Sequence, residues 1–277
     1  MNKKIMIAVA ILFLVTGVVA IVLAAVLSTK TVVVRDSFSR QSNAEIQVLK
    51  PLSPVPRRII QTHYDKALIP AKVFANISKY GSGYEHVVFD DAECLAFLSD
   101  YYEPCVGQCF TRLKGPYKAD IFRYAYLYIY GCIYLDIKTE LKCHVDEIFT
   151  DRTLFYASLT HFDGVSRNEI YQGVLSIPAG HPVLLKLIHK LVNTSEITFY
   201  TMVCEQMQAE LVRWVGSPIL VPGRNGKSDV YLLREEVTSR PNPAEADKYG
   251  LLSRLWDGDH IVINTRYRDY PWKKTAI

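Results

Sequence analysis

The sequence lacks the patterns that mark several common classes of protein. It has no extended run of basic residues, and its formal net charge of +4 is spread over 277 residues, so we expect no nucleic-acid partner. None of its six cysteines belongs to a CxxC pair, and a zinc site built on such pairs is not indicated. Internal repeats and low-complexity tracts are also missing. With hydrophobic residues at 49%, the composition indicates a globular domain that carries one additional apolar segment.

That apolar segment lies at the N-terminus. Ile5–Leu27 contains no charged residue in 23 positions, which is long enough to cross a bilayer core of about 30 Å as a helix. A cleaved signal peptide is the alternative, but its apolar region normally runs for only about 7 to 15 residues. We therefore predict a tail at residues 1–4, a transmembrane signal anchor at 5–27, a proline-rich stem at 28–55 and a folded domain at 56–277.

Two sequons and the cysteines indicate the compartment. Asn76-Ile77-Ser78 and Asn193-Thr194-Ser195 both fit the pattern of an N-glycosylation acceptor. Six cysteines without zinc spacing favour one or two disulfides and an oxidising environment. Basic residues flank the apolar segment on both sides, so charge does not fix its orientation. The sequons and cysteines lead us to predict a single-pass type II protein of the Golgi or another secretory-pathway membrane, with its domain in the lumen.

Beyond the stem, short apolar runs alternate with longer helical patterns. This alternation is typical of βα units and predicts an α/β fold with a mostly parallel central sheet. The predicted strands are Arg58–Thr62, His86–Phe89, Cys132–Leu135, Leu154–Ser158, Gly173–Ile177 and Ile261–Ile263. The predicted helices are one that Asp90 and Asp91 cap and that runs through Phe97, then Lys118–Tyr130, Pro182–Leu191 and Thr201–Val212.

The helix Lys118–Tyr130 carries an unusual pair of charges. Asp120 and Arg123 are three residues apart, so they share a helix face and can present a carboxylate and a guanidinium to one ligand. A local ion pair is the alternative, since such pairs are common. Because the rest of this helix is almost wholly apolar and aromatic, we expect the two charges to be buried or at a cleft, where they need partners.

A second charged group follows the buried strand Cys132–Leu135. Asp136 falls at the carboxyl end of that strand, which is where open α/β sheets place their ligands. Asp136, Lys138 and Glu140 alternate in sequence, so an extended continuation would direct all three side chains to one side. Such carboxylates could hold a divalent ion, and the ion or the lysine could neutralise a diphosphate. A solvated loop of mixed charge is an equally good interpretation of the spacing alone.

These two segments together resemble glycosyltransferase family 32, whose members include fungal α-mannosyltransferases and sphingolipid mannosyltransferases. The resemblance lies in Lys118-Ala119-Asp120-Ile121-Phe122-Arg123-Tyr124, followed by Tyr130-Gly131-Cys132-Ile133-Tyr134-Leu135-Asp136. It implies a GT-A type, Rossmann-like nucleotide-sugar-binding domain and a GDP- or UDP-hexose donor. It further implies Mn²⁺ or Mg²⁺ as cofactor, a glycan or glycolipid acceptor, and hexosyl transfer with retention at the anomeric carbon.

The resemblance also assigns roles to individual residues. Asp136 corresponds to the first Asp of the family's DXD motif, which contacts the ribose and the metal. Asp120 and Arg123 correspond to the pair that grips the hydroxyls and phosphate of the donor. Gln61 and Thr62 would lie beside the nucleotide base.

Three positions depart from the family pattern, and they affect the predicted donor site. Lys138 stands where the second motif Asp is expected, so either Glu140 or a distant residue completes the metal site with Asp136, or the lysine supplies the positive charge itself. His63 stands where many relatives have tryptophan, and Cys132 replaces a glycine. We include His63, Tyr134 and Lys138 among the predicted donor-binding residues.

Two other functions fit the same residues. Loss of the second motif Asp is also expected of a catalytically inactive relative that only binds a carbohydrate or a nucleotide. A glycoside hydrolase that uses Asp136 and Glu140 as paired carboxylates is the other alternative, and it would cleave glycans without a nucleotide.

Overall fold

The computed structural model describes residues 53–242, 245 and 251–267. The predicted transmembrane anchor at 5–27 and nearly all of the predicted stem lie outside these residues. Within the part that is described, no helix combines the length and the apolar character needed to cross a membrane.

The domain contains ten strands and seven α-helices in its described residues. The strands are β1 (Arg58–Thr62), β2 (Glu85–Phe89), β3 (Cys132–Leu135), β4 (Glu140–Leu141), β5 (Phe155–Phe162), β6 (Val165–Ile177), β7 (Gly223–Arg224), β8 (Val230–Thr238), β9 (Leu252–Asp257) and β10 (His260–Asn264). The helices are α1 (Ala71–Tyr80), α2 (Asp91–Tyr101), α3 (Pro104–Arg112), α4 (Pro116–Tyr130), α5 (Val145–Ile148), α6 (Pro182–Asn193) and α7 (Met202–Val215). Every predicted strand and helix is present, with β1 and β3 at their predicted bounds.

The sheet is mixed, and the prediction of a mostly parallel sheet is wrong. Its strand order is β2-β1-β3-β6-β5-β8-β9-β10-β4, with β7 beside β8. Only the pairs β1–β2, β1–β3 and β5–β8 are parallel among the strands that the structure describes. One reason is a long hairpin between β5 and β6, closed by Asp163 and Gly164, and the pairs β3–β6, β8–β9 and β9–β10 are antiparallel as well. Asp163 and Gly164 have positive φ angles, +47° and +79°, as a two-residue hairpin turn requires.

Helices cover both faces of the sheet. In β3 all four residues are buried, and alternate side chains point to opposite faces. Cys132 and Tyr134 belong to the core cluster that includes helices α2, α3, α4, α6 and α7. Ile133 and Leu135 belong to the cluster on the other face, with α1 and α5. A continuously apolar strand such as β3 is therefore explained by burial on both sides.

The predicted disulfides are not formed, and that prediction is wrong. All six cysteines lie in described positions and all six are free thiols. Cys94, Cys109 and Cys132 are buried in the core, and the Sγ of Cys109 donates to the carbonyl of Leu191 at 3.4 Å. Buried thiols of this kind pack as small hydrophobic side chains, which is why their number misled the prediction.

The two sequons differ in their environment. Asn193 is exposed at the end of α6. Asn76 lies within α1, where its amide donates to the carbonyl of Leu141 at 3.1 Å and its Oδ1 accepts from the Leu141 N–H at 2.9 Å. The Asn76 amide is thus held by the neighbouring β4 strand, whereas the exposed Asn193 amide donates to the carbonyl of His189 in its own helix at 2.9 Å. Asn193 is therefore the more accessible of the two acceptors.

Candidate active site

The site lies where α4 and β3 meet a turn of the chain and the neighbouring strand β6. Gly131 joins the helix to the strand with a φ angle of +61°, and a Cβ at this position would lie 2.6 Å from the backbone nitrogen of Ala179. Only glycine fits such a close approach. At the other end of β3, the Asp136 N–H donates to the carbonyl of Gly173 at 2.7 Å. The first connection turns the chain from α4 into β3, and the second joins the end of β3 to β6.

The predicted pair on α4 is present and buried. An Arg123 nitrogen lies 3.0 Å from Asp120 Oδ1 and 3.6 Å from Asp136 Oδ1, and only 4% of the Arg123 side chain is exposed. Arg123 also donates to the carbonyls of Ala119 and Gln172, and its guanidinium stacks over the Tyr134 ring. A charge this deeply buried is tolerated only with such a set of partners. Arg123 therefore joins Asp120 and Asp136 in a single charged cluster.

Lys138 completes the cluster from the far side of Asp136. Its Nζ lies 3.4 Å from Asp136 Oδ2, so a cation faces each carboxylate oxygen. Burial acts to raise the pKa of Asp136, but the charges of Lys138 and Arg123 outweigh it and hold that pKa below its ordinary value. Asp136 is therefore an ionised carboxylate held between two positive charges.

The predicted extended arrangement of Asp136, Lys138 and Glu140 is wrong. The Thr139 N–H donates to the Asp136 carbonyl at 2.9 Å, which closes a β-turn directly after β3. Beyond the turn Glu140 begins β4, where its carboxylate accepts from Asn264 at 2.7 Å and pairs with Lys142 at 3.0 Å. The turn interrupts the strand period on which the prediction depended.

The residues of the cluster do not fit a divalent metal ion. Both oxygens of Asp136 face cations, and Glu140 is engaged with Asn264 and Lys142. Among the residues that the structure describes, no three His, Cys, Asp or Glu side chains are grouped as metal ligands. The predicted metal pair of Asp136 and Glu140 is therefore not supported by the geometry.

Asp120 is the carboxylate of the cluster whose pKa is raised. Burial raises its pKa to about 6, although the Arg123 charge opposes the shift. Because the folded-state pKa of Asp120 lies above its ordinary value of 3.8, protonation of Asp120 stabilises the fold. This contribution is complete below pH 3.8 and is lost as pH rises through about 6. The ionised Asp120 carboxylate is stabilised mainly by the charge of Arg123.

This shift predicts a pH-dependent difference between the wild type and Asp120→Asn. From pH 4 to pH 7 the free energy of unfolding of the wild type should fall relative to that of the variant, by roughly 1–3 kcal/mol. Urea unfolding at intervals of one pH unit measures the difference. Parallel pH profiles for the two proteins would show that Asp120 titrates normally.

The remaining predicted donor-binding residues lie beside Asp136 on β1 and β3. Gln61 is fully buried and donates to the Asp136 carbonyl at 3.2 Å. Thr62 and Tyr134 share a hydrogen bond of 3.1 Å, and the Tyr134 hydroxyl donates to Asp136 Oδ1 at 3.0 Å. His63 stacks on Tyr64 just after β1. The structure thus gathers Gln61, Thr62 and Tyr134 around Asp136, with His63 at the adjoining strand end.

Sequence reasoning missed three neighbours of the cluster that β6 contributes. Tyr171 and Gln172 bring a buried hydroxyl and a buried amide nitrogen, Nε2, and both atoms have no hydrogen-bond partner. Gly173 lies against Asp136, since a Cβ there would approach its Oδ2 to 2.9 Å and would also collide with the Tyr171 hydroxyl. Buried polar atoms usually have partners, so the two orphaned groups are consistent with a ligand at this site.

The close approach at Gly173 gives a direct prediction. In Gly173→Ala the new methyl group should displace Asp136 or Tyr171, lowering the free energy of unfolding by roughly 1–3 kcal/mol. The matched control is Gly107→Ala, because a Cβ there meets no atom closer than 3.5 Å and alanine is favoured within a helix. Thermal unfolding of both variants checks the prediction, and equal melting temperatures would contradict it.

Comparison with known proteins locates a family resemblance in the same part of the chain. Residues 70–155 match a family model described as a glycosyltransferase sugar-binding region containing a DXD motif. The match spans less than half of the chain, but it includes α4, β3 and the turn after Asp136. No curated protein matches the sequence.

Two solved structures are similar at low identity. One, described as PaToxG glycosyltransferase, is 13% identical with a TM-score of 0.43, over 59% of this chain and 71% of that one. The other, a transferase mutant with two cysteine-to-serine substitutions, is 12% identical with a TM-score of 0.38, over 59% of this chain and 86% of that one. Neither similarity is strong enough to define the fold. The family match alone shows that the segment carrying Asp120, Arg123 and Asp136 is similar to the sugar-binding region of glycosyltransferases, and it supports a role in glycosyl transfer.

Proposed function

We propose that this protein is a hexosyltransferase that moves a sugar from a GDP- or UDP-hexose to a glycan or glycolipid acceptor. The observation that carries the proposal is the buried cluster of Asp120, Arg123, Asp136 and Lys138 within the segment that matches the sugar-binding region. Membership of glycosyltransferase family 32, a GT-A fold and retention at the anomeric carbon belong to the same proposal. They are supported by the two sequence segments that resemble that family.

The geometry suggests a division of roles. Asp136, ionised at the end of β3, is placed to accept hydrogen bonds from the ribose hydroxyls of the donor. Asp120 and Arg123 lie at the start of α4, where a carboxylate and a guanidinium can orient sugar hydroxyls and phosphate oxygens. In the reaction the bond from the anomeric carbon to the diphosphate breaks, the diphosphate keeps the electron pair, and the acceptor oxygen bonds to the carbon as its proton is released. Fixed charges of this kind lower the barrier by stabilising the departing diphosphate.

An acceptor can approach from the start of α7. Tyr200 is 69% exposed there, and its ring lies 6.4 Å from that of Tyr117 in the first turn of α4. Exposed aromatic rings provide apolar faces for sugars, with a polar hydroxyl at one end. We therefore propose this edge of the cluster as the acceptor side.

We further propose that the domain faces the lumen of a Golgi or other secretory-pathway membrane, anchored by residues 5–27. The uncharged N-terminal segment and the exposed Asn193 sequon support this placement. Endoglycosidase treatment of the protein from a eukaryotic host should remove a glycan from Asn193. The Asn193→Gln variant is the matched control and should migrate as the deglycosylated form.

The two alternative functions are less well supported by the site. A hydrolase needs Asp136 and Glu140 as a cooperating pair, but Glu140 is engaged with Asn264 and Lys142. A binding scaffold would keep the cluster and lose turnover. The contacts among Asp120, Arg123 and Asp136 are intact, so the geometry does not favour such a scaffold.

Thermal-shift measurement with the full-length chain in detergent tests donor binding. At a concentration of 100 times the dissociation constant, a ligand of the folded state adds about 2.7 kcal/mol. For a domain of this size we therefore expect a rise in melting temperature of roughly 5–10 °C with the preferred nucleotide sugar. Free hexoses serve as the control and should give no comparable shift. A panel of UDP- and GDP-hexoses without any shift, with and without divalent ions, would contradict the proposed function.

A further inference from the structure

We propose that Lys138 replaces a divalent metal ion in this site and acts beside Arg123, so that donor binding and transfer are independent of metal. The inference rests on the proposed function, because it concerns the diphosphate of a nucleotide-sugar donor. It deepens that function by assigning the positive charge to two side chains of the protein.

Lys138 lies in the turn after β3. The position that aligns with the second motif Asp holds a lysine, and its Nζ is directed back to Asp136 Oδ2 at 3.4 Å. Lys138 is partly exposed, with 20% of its side chain open to solvent. The ammonium group is therefore part of the cluster and also accessible to a ligand that enters it.

The carboxylates of the cluster are already neutralised by the two cations. Asp120 lies 3.0 Å from Arg123, and Asp136 lies between Arg123 and Lys138. A divalent ion would have to displace one of these cations from Asp136 or lie close to it, and repulsion between like charges opposes both. The arrangement thus disfavours a divalent cation at the atoms where the family pattern would place it.

The two cations are suited to binding a diphosphate. A guanidinium presents several donors in a plane, and an ammonium acts as a compact point charge, and both bind phosphate oxygens well. Arg123 is fixed by the Gln172 and Ala119 carbonyls, so it requires little reorganisation when the donor binds. Lys138 therefore supplies positive charge where the family pattern uses a metal ion, next to the arginine that the pattern already contains.

Binding of UDP and GDP to the full-length wild type, in EDTA and in Mn²⁺, tests the inference. Calorimetry should give dissociation constants that agree within about threefold in the two buffers, and donor turnover should likewise persist in EDTA. Lys138→Met should weaken binding in EDTA by roughly 10-fold or more, since a charge-assisted hydrogen bond to phosphate contributes about 1.5–3 kcal/mol. The matched control, Lys142→Met, removes a lysine that pairs with Glu140 and should bind like the wild type.

A second variant tests the exchange of lysine for metal directly. Lys138→Asp restores two carboxylates at this turn, and binding by this variant should require Mn²⁺. Wild-type binding or turnover that appears only with Mn²⁺ would overturn the inference and leave the proposed function intact. Absence of binding and turnover in both buffers would overturn the proposed function, and this inference with it. Because these outcomes concern the wild type, they remain decisive even if a variant fails to fold.

Discussion

Replacing Asp136 with asparagine should greatly slow sugar transfer and leave the fold intact. Asparagine has nearly the same size, so it fits against Gly173, where a Cβ would lie only 2.9 Å from Asp136 Oδ2. The change removes the negative charge that Lys138 and Arg123 hold in place. We expect initial rates to fall by roughly 100- to 1000-fold, the effect of removing one preorganised electrostatic group from an active site.

The experiment needs a control for loss of structure. Asp100 is an exposed carboxylate near the end of α2, and Asp100→Asn should retain wild-type rates. Melting temperatures of the two variants, measured by circular dichroism, should both lie within a few degrees of the wild type. Undiminished transfer by Asp136→Asn would show that the active site is elsewhere.

Replacing Arg123 with methionine should cause the largest loss of stability of any single change in the cluster. Methionine fills much of the same volume but leaves Asp120 and Asp136 without their shared cation, and it removes a donor from the Gln172 carbonyl. Breaking a buried charge pair from one side typically costs about 3–5 kcal/mol. Urea unfolding of the variant should therefore show a free energy of unfolding lower by that amount.

A double variant separates the charge effect from lost packing. Adding Asp120→Asn to Arg123→Met removes one of the stranded carboxylates, and we expect it to restore about 1–2 kcal/mol of stability. A loss below about 1 kcal/mol in Arg123→Met, or no coupling between the two changes, would mean that the ion pair is unimportant for the fold.

The elements around the site were predictable because their sequence signals are local. β1 and β3 are short apolar runs that end at polar residues, and α4 is a long apolar helix that ends at Gly131. The mixed sheet was not predictable from the same kind of pattern. A strand buried on both faces has the same apolar run whether its neighbour is parallel or antiparallel. The Asp163-Gly164 dipeptide is a local signal for the hairpin between β5 and β6, but it does not reveal the other antiparallel pairs.

The residues of the candidate site show the same contrast between local and long-range signals. Helical spacing puts Asp120 and Arg123 on one face, and Asp136 falls directly after a buried strand, but the roles predicted for these three residues come from the family resemblance. Tyr171, Gln172 and Gly173 reach the site only through the antiparallel pairing of β3 with β6, which joins residues far apart in sequence. The position of Glu140 depends on the hydrogen bond that closes the turn after Asp136, and alternation of charges in the sequence contains no information about that bond.

Release of nucleoside diphosphate from a panel of UDP- and GDP-hexoses is the decisive test of the proposed sugar transfer. The full-length wild type and Asp136→Asn are assayed side by side with glycan and glycolipid acceptors, in EDTA and in Mn²⁺. We expect the wild type to release diphosphate and transfer the sugar from at least one donor, and Asp136→Asn to do so roughly 100- to 1000-fold more slowly. Tight nucleotide binding without turnover of any donor, or cleavage of glycans without a nucleotide, would contradict it.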